Sequence, residues 1–336
     1  MTRSEMERGR RLLCALQDTI RDSLIGARSR GGRRFAEVSR VTAADTIYRI
    51  DRIGEDAILR WFGRNWPADL PVELVMEGLE GPATTFPRGV APGRTRCKCI
   101  VDPIDGTRCL MYDKRPAWAL AALAPQKGAR TSLADIVVAA MTELPTSKQW
   151  RSDQVSAVRG GGPAGVVAQS VDVRTGRCRR FTPRPSQARD FRHGFASLVR
   201  FFPDGKALTA QIEEELWRSL NGPDGGGTPL VFDDQYLASG GQIFEILVGH
   251  DRMVGDLRPL VLAKLGLEAA LTCHPYDICT ALVLTESGGI VEAPDGHPLA
   301  APLDTTTPVA WMGYANPALA AAVRPVLRRL VRKHLR

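Results

Sequence analysis

"CIVDPIDGTRCLMYDK", Cys99 to Lys114, sets two aspartates three residues apart, with a proline between them and Gly-Thr directly after. Turn chemistry alone can call for Asp-Pro and Asp-Gly. Here the apolar lead-in Cys99-Ile100-Val101 reads as a strand that delivers the turn, placing Asp102 and Asp105 at a strand end. Pro103 fixes its own backbone angle and stiffens the turn, so both carboxylates can face one pocket with the Ile104 carbonyl pointing into it. Gly106 then allows close backbone approach. The amides of Gly106 and Thr107 would receive an anion at a helix start, and the Thr107 hydroxyl would orient a water. Carboxylates, a backbone carbonyl and water are the ligands that hard divalent cations such as magnesium take.

Working outward, three more acids stand at the ends of expected elements: Asp45 in "VTAAD", Glu77 closing "VELVME", and Asp277 opening "YDICTALVLTESGG". Taken singly, each has an ordinary structural reading. Asp277 reads as a helix N-cap, Asp45 as a helix-entry carboxylate and Glu77 as an exposed turn residue.

Periodicity supplies the rest. Leu12, Leu13, Leu16, Ile20 and Leu24 predict an amphipathic helix over residues 4–28, and Ile47, Ile50, Ile58, Leu59 and Phe62 a second one within "VTAADTIYRIDRIGEDAILRWF". "VELVM", "AWALAALAP" and "DIVVAAMTEL" read as strands, and 151–185 as a hairpin-rich sheet edge. Beyond residue 186, "HGFASLVRFF" reads as a strand. Helices are expected at "GKALTAQIEEELWRSL" (closed by Asn221-Gly222), "GGQIFEILVG", "LRPLVLAKLG" and "YDICTALVLTESGG". A strand and a helix with Pro near its start close the chain. Strands cluster first and alternate with helices later. This gives an N-terminal α+β domain, 1–187, carrying most of the candidate ligands, and a C-terminal α/β domain, 188–336, carrying Asp277.

The chain of 336 residues is 44% hydrophobic and 24% charged, an ordinary globular composition able to bury one large core or two joined ones. No apolar run approaches about 18 residues, so no membrane span is expected. The charged start Met1-Thr2-Arg3-Ser4-Glu5 lacks a signal core, which points to a cytoplasmic protein. Seven cysteines without framework spacing fit reduced thiols there, and the C-x-C of Cys97 and Cys99 alone is a weak metal signal. The formal charge is +8, with arginine concentrated at Arg28–Arg34 and Arg324–Arg336. With only 6% aromatics there is little of the stacking platform that nucleic-acid binding uses. A basic field that draws in a small phosphorylated substrate fits the same charge.

"VDPIDGT", with "VTAAD" and "VMEG" upstream and "YDICTALVLTESGGIV" and "WMGYANPALAAAV" downstream, resembles the inositol monophosphatase family. That family belongs with the fructose-bisphosphatases and other magnesium-dependent, lithium-sensitive sugar-phosphate phosphatases. The resemblance runs from about residue 5 to the C-terminus. It implies an αβαβα sandwich that performs metal-assisted phosphomonoester hydrolysis with two or three magnesium ions. Glu77, Asp102 and the Ile104 carbonyl would hold the first ion; Asp102, Asp105 and Asp277 the second; Glu77 and waters a weaker third. Thr107, paired with Asp45, would position the attacking water, and the amides of Gly106 and Thr107 would bind phosphate oxygens. Ser239, Gly240, Asp256 and Arg258 become candidate substrate contacts, with Arg258 placed to meet a second phosphate.

The chain departs from the family in having Glu77-Gly78 where a Glu-Glu pair is usual, with Glu80 at the wrong spacing to replace it. It also has Tyr276-Asp277 where Trp-Asp is usual. Inositol monophosphate is the default substrate, with fructose 1,6-bisphosphate and 3′-phosphoadenosine 5′-phosphate as alternatives. A binding protein of the same fold without turnover is the reading from another class. The expected partner is a small phosphorylated molecule, not a membrane or a nucleic acid, with a homodimer as a possible assembly.

Overall fold

The computed structural model describes residues 1–31, 38–41, 46–79, 83–222, 230–269 and 271–336. Leu13, Leu16, Ile20 and Leu24 recur at three- and four-residue spacing, so the first helix, α1 (Arg3–Gly31), buries one stripe. A two-stranded antiparallel ladder, β1 (Val38–Val41) with β2 (Thr46–Tyr48), precedes α2 (Arg49–Asn65). The helix expected across residues 41–62 therefore starts only at Arg49. Thr46 and Ile47 belong to β2, and β-branched residues favour strands over helices.

An eight-stranded sheet follows. In chain order its strands are β3 (Val72–Met76), β4 (Thr84–Phe86), β5 (Cys97–Asp105), β6 (Ala117–Pro125), β7 (Val138–Leu144), β8 (Arg151–Val158), β9 (Val167–Asp172) and β10 (Cys178–Phe181). Its spatial order is β10-β9-β8-β7-β6-β5-β3-β4, antiparallel except for the parallel pair β3–β5. Short helices α3 (Thr107–Met111) and α4 (Gly162–Gly165) sit in its connections. Side chains alternate between the two faces, as the period of two requires. On β6, Ala117, Ala119, Ala121 and Leu123 join α1 and α2 in one core, while Trp118, Leu120, Ala122 and Ala124 face the other way. Gln17 pins α1 to the sheet by donating to the carbonyls of Ala119 and Ala140 and accepting from the Thr142 hydroxyl.

The second sheet has five strands: β11 (Gly194–Leu198), β12 (Val231–Phe232), β13 (Asp251–Asp256), β14 (Ile290–Glu292) and β15 (Trp311–Tyr314), in the order β12-β11-β13-β15-β14. Its helices are α5 (Lys206–Asn221), α6 (Ser239–Leu247), α7 (Arg258–Lys264), α8 (Pro275–Ile278), α9 (Ala281–Glu286) and α10 (Pro317–His334). α6, α8 and α9 lie between the sheets, and Trp118 of β6 meets Phe244 of α6 with ring centroids 4.6 Å apart. α5 and α10 cover the outer face through Ile212, Leu216, Leu319, Val323 and Leu327. The layers read α1/α2, sheet, α6/α8/α9, sheet, α5/α10, the αβαβα sandwich expected. The single helix expected at "YDICTALVLTESGG" is two, α8 and α9, broken at Cys279-Thr280. Among the described residues no helix is long and apolar enough to cross a membrane, and all seven cysteines are free thiols.

Candidate metal centre

Asp102 and Asp105 are three apart, so an unbroken strand would send them to opposite faces. The ladder to β6 prevents this. Asp102 pairs with Leu120 and Asp105 with Trp118, so β5 spends one more residue than β6 over the same stretch. That is a bulge. It falls at Pro103, which has no amide to give the ladder. Both carboxylates are buried, and they now face the same layer, the one holding α6 and α8.

Each carboxylate is held by backbone. One Asp102 oxygen accepts the Ile104 amide at 2.9 Å. Asp105 accepts the amides of Ser239 at 3.2 Å and Gly240 at 2.6 Å, in the first turn of α6. That approach needs glycine: a Cβ on residue 240 would lie 3.1 Å from the Asp105 carboxylate and 2.5 Å from Leu120. Gly106 is constrained likewise, with φ of 88° and the Cβ position 2.9 Å from the Ala238 side chain. Asp277, third residue of α8, accepts the His274 amide at 2.6 Å. It is therefore not the N-cap of its isolated reading, a place His274 takes, but the third-position acid of the capping box, and it is also a member of the cluster. Asp102, Asp105 and Asp277 each offer an oxygen within 4.8 Å of the others.

The electrostatics follow from that packing. Burial pushes the Asp102 carboxyl well above the ordinary carboxylate range, and Glu77, Asp105 and Asp277 add repulsion. Burial and then Asp277 push Asp105 up, opposed by the Gly240 and Ser239 amides and by Arg258. Such a group must hold protons or a cation. An all-oxygen donor set of this charge fits a hard divalent ion, so the cluster can hold a metal. Glu77 follows β3, with its amide on the Val101 carbonyl at 3.3 Å. It stands close enough to repel Asp102 without being one of the converging three.

The Thr107 hydroxyl donates to the Ile104 carbonyl at 2.9 Å, so these two candidates are coupled. Asp45 and Glu80 lie outside the described residues. Burial pushes the thiols of Cys109 and Cys279 up, and both lie beside the carboxylates, so neither is poised as a thiolate nucleophile.

The four candidate substrate contacts all have partners within the protein. Ser239 and Gly240 are buried and spend their amides on Asp105. Their sequence position at a helix start is right, but the anion they receive is a side chain of the protein. Asp256 and Arg258 form a buried pair in which the guanidinium donates to Asp256 at 2.6–3.1 Å and to the Leu271 carbonyl at 2.7 Å. The same guanidinium lies over the Phe201 ring at 4.5 Å. Every nitrogen of Arg258 thus makes at least one bond inside the protein. Arg258→Ala should therefore act on stability, because it strands Asp256 as a buried charge, at a cost of about 3–5 kcal/mol. Urea unfolding measures this; an unchanged midpoint with altered substrate preference would restore the substrate-contact reading.

No protein-family model and no curated protein sequence matches this chain. Solved structures do. Extragenic suppressor protein SuhB of Bartonella henselae is 16% identical, with TM-score 0.62 over 95% of this chain and 98% of that one. Leishmania major fructose-1,6-bisphosphatase, in its holo form, is 14% identical, with TM-score 0.65 over 95% and 94%. Inositol monophosphatase from Anabaena is 12% identical, with TM-score 0.59 over 98% and 97%. The near-complete mutual coverage spans both sheets and all five layers, and on that likeness this chain has the inositol monophosphatase and fructose-1,6-bisphosphatase fold.

Proposed function

We propose that the protein is a magnesium-dependent phosphomonoesterase acting on a small polyol or sugar phosphate, with inositol monophosphate as the first candidate. The observation that carries this reading is the convergence of Asp102, Asp105 and Asp277, from β5 and α8, on one buried point. Glu77, Asp102 and the Ile104 carbonyl would hold one ion, and Asp102, Asp105 and Asp277 another. Bound there, magnesium would supply an activated water and charge neutralisation at the leaving oxygen, as paired metals do in phosphatases. Thr107, tied to the Ile104 carbonyl, would with Asp45 orient the water along the line of attack. The amides of Gly106 and Thr107 would receive the phosphate oxygens. The net charge of +8 favours encounter with anionic esters.

The engagement of Arg258 with Asp256 favours a monophosphate over fructose 1,6-bisphosphate or 3′-phosphoadenosine 5′-phosphate. The test is phosphate release from a panel holding all three esters, with magnesium, with chelator and with lithium. Release from inositol monophosphate that chelator abolishes, magnesium restores and lithium suppresses is the expected result. No release from any ester in magnesium would favour a binding protein of the same fold.

A further inference from the structure

We infer that Glu55 of α2 is a positioning carboxylate of the metal centre, bringing negative charge to the Glu77–Gly78 turn and strengthening the grip on a divalent cation there. This rests on the metal-centre reading proposed above.

Two independent close approaches place it. Gly78 has φ of 77°, and a Cβ added to it would lie 2.9 Å from the Glu55 carboxyl carbon, nearer still to one of its oxygens. The space beside residue 78 is thus taken by a carboxylate from another element. One residue earlier, the Cβ position of Gly54 is 3.2 Å from the Pro103 side chain and 3.7 Å from that of Ile104. A single turn of α2 therefore rests on both ligand-bearing loops, the one after β3 and the one closing β5.

Glu55 lies three and seven residues before Ile58 and Phe62, at the half-buried edge of the stripe that α2 buries, where a side chain can reach the neighbouring turn. The sequence has no acid at 78 to stand beside Glu77, and α2 supplies one to the same turn through space.

Isothermal titration of the metal-free full-length protein with MgCl2, alongside its melting temperature, tests this without reference to turnover. Glu55→Gln keeps size and shape and removes only charge. It should weaken the tightest magnesium Kd about tenfold, the lower end of what neighbours of metal ligands contribute, while leaving the metal-free melting temperature unchanged or higher. Glu55→Asp, which keeps the charge, should fall between the two. Asp56→Asn, an exposed neighbour on the same helix, should bind as the parent does. Parent-like magnesium binding by Glu55→Gln would overturn the inference alone. So would a lower metal-free melting temperature with no change in Kd, which marks a packing residue. A parent protein that binds no magnesium would overturn the metal-centre reading, and this inference with it.

Discussion

Asp102→Asn should lower turnover at least about a thousandfold, a loss of roughly 4 kcal/mol of transition-state stabilisation, while the protein stays folded. The amide keeps an oxygen for the Ile104 N–H and deletes the charge most central to the cluster, the one that Glu77, Asp105 and Asp277 all repel. The same substitution should raise stability in the absence of metal, and the sign follows from linkage. Because Asp102 has its carboxyl pushed up in the folded state, the native protein holds a proton that the unfolded chain releases. Stability is therefore greatest below the ordinary carboxylate range and falls as pH rises toward the raised native value. Asparagine removes that loss, so metal-free Asp102→Asn should melt above the parent at neutral pH, whereas magnesium should stabilise only the parent. Cys109→Ser, in the middle of α3, is the control and should leave turnover within a few-fold. Equal damage from both substitutions would reopen a thiol mechanism.

Asp277→Asn separates two roles that the structure gives to one side chain. As a cap, Asn accepts the His274 amide nearly as well, so stability should change by only a few tenths of a kcal/mol. As a ligand it loses the only charge that α8 contributes to the cluster. Turnover should fall at least about a hundredfold, near 2.7 kcal/mol, in a protein with a parental melting curve that still binds one magnesium. Turnover within a few-fold of the parent would leave the capping role alone.

The opening motif was legible because local chemistry dictates it. Pro103 interrupts the ladder, a bulge follows, and two odd-spaced aspartates come to share a face. The buried first sheet was legible for a related reason: β6 and β7 are apolar on both faces, which calls for cover on both sides, while the five-layer order is what the resemblance implied. Other features depend on long-range contacts that spacing does not encode. β13 reads Asp-Arg-Met-Val-Gly-Asp, with acids at both ends and a glycine inside, a pattern that does not announce a strand. Its apolar centre, Met253 and Val254, becomes core only once β11 and β15 flank it. Ser239 and Gly240 are candidate substrate contacts through the family resemblance alone, and in the structure their amides receive an anion of the protein itself. That the anion is Asp105, on another layer, is a tertiary fact. Glu55, a helical acid among Asp56 and Arg60, reads as surface in the sequence, and only the approach of the Gly78 backbone reveals what it faces.

Whether these carboxylates form a divalent metal centre can be read by diffraction from crystals soaked in manganese, whose anomalous signal locates the ion independently of any reaction. A metal centre there should give peaks beside Asp102, Asp105 and Asp277, and a further one beside Glu77 and the Ile104 carbonyl, at ligand distances of about 2.0–2.2 Å, close to those of magnesium. Anomalous density confined to surface acids, with the three aspartates bare or protonated, would contradict it.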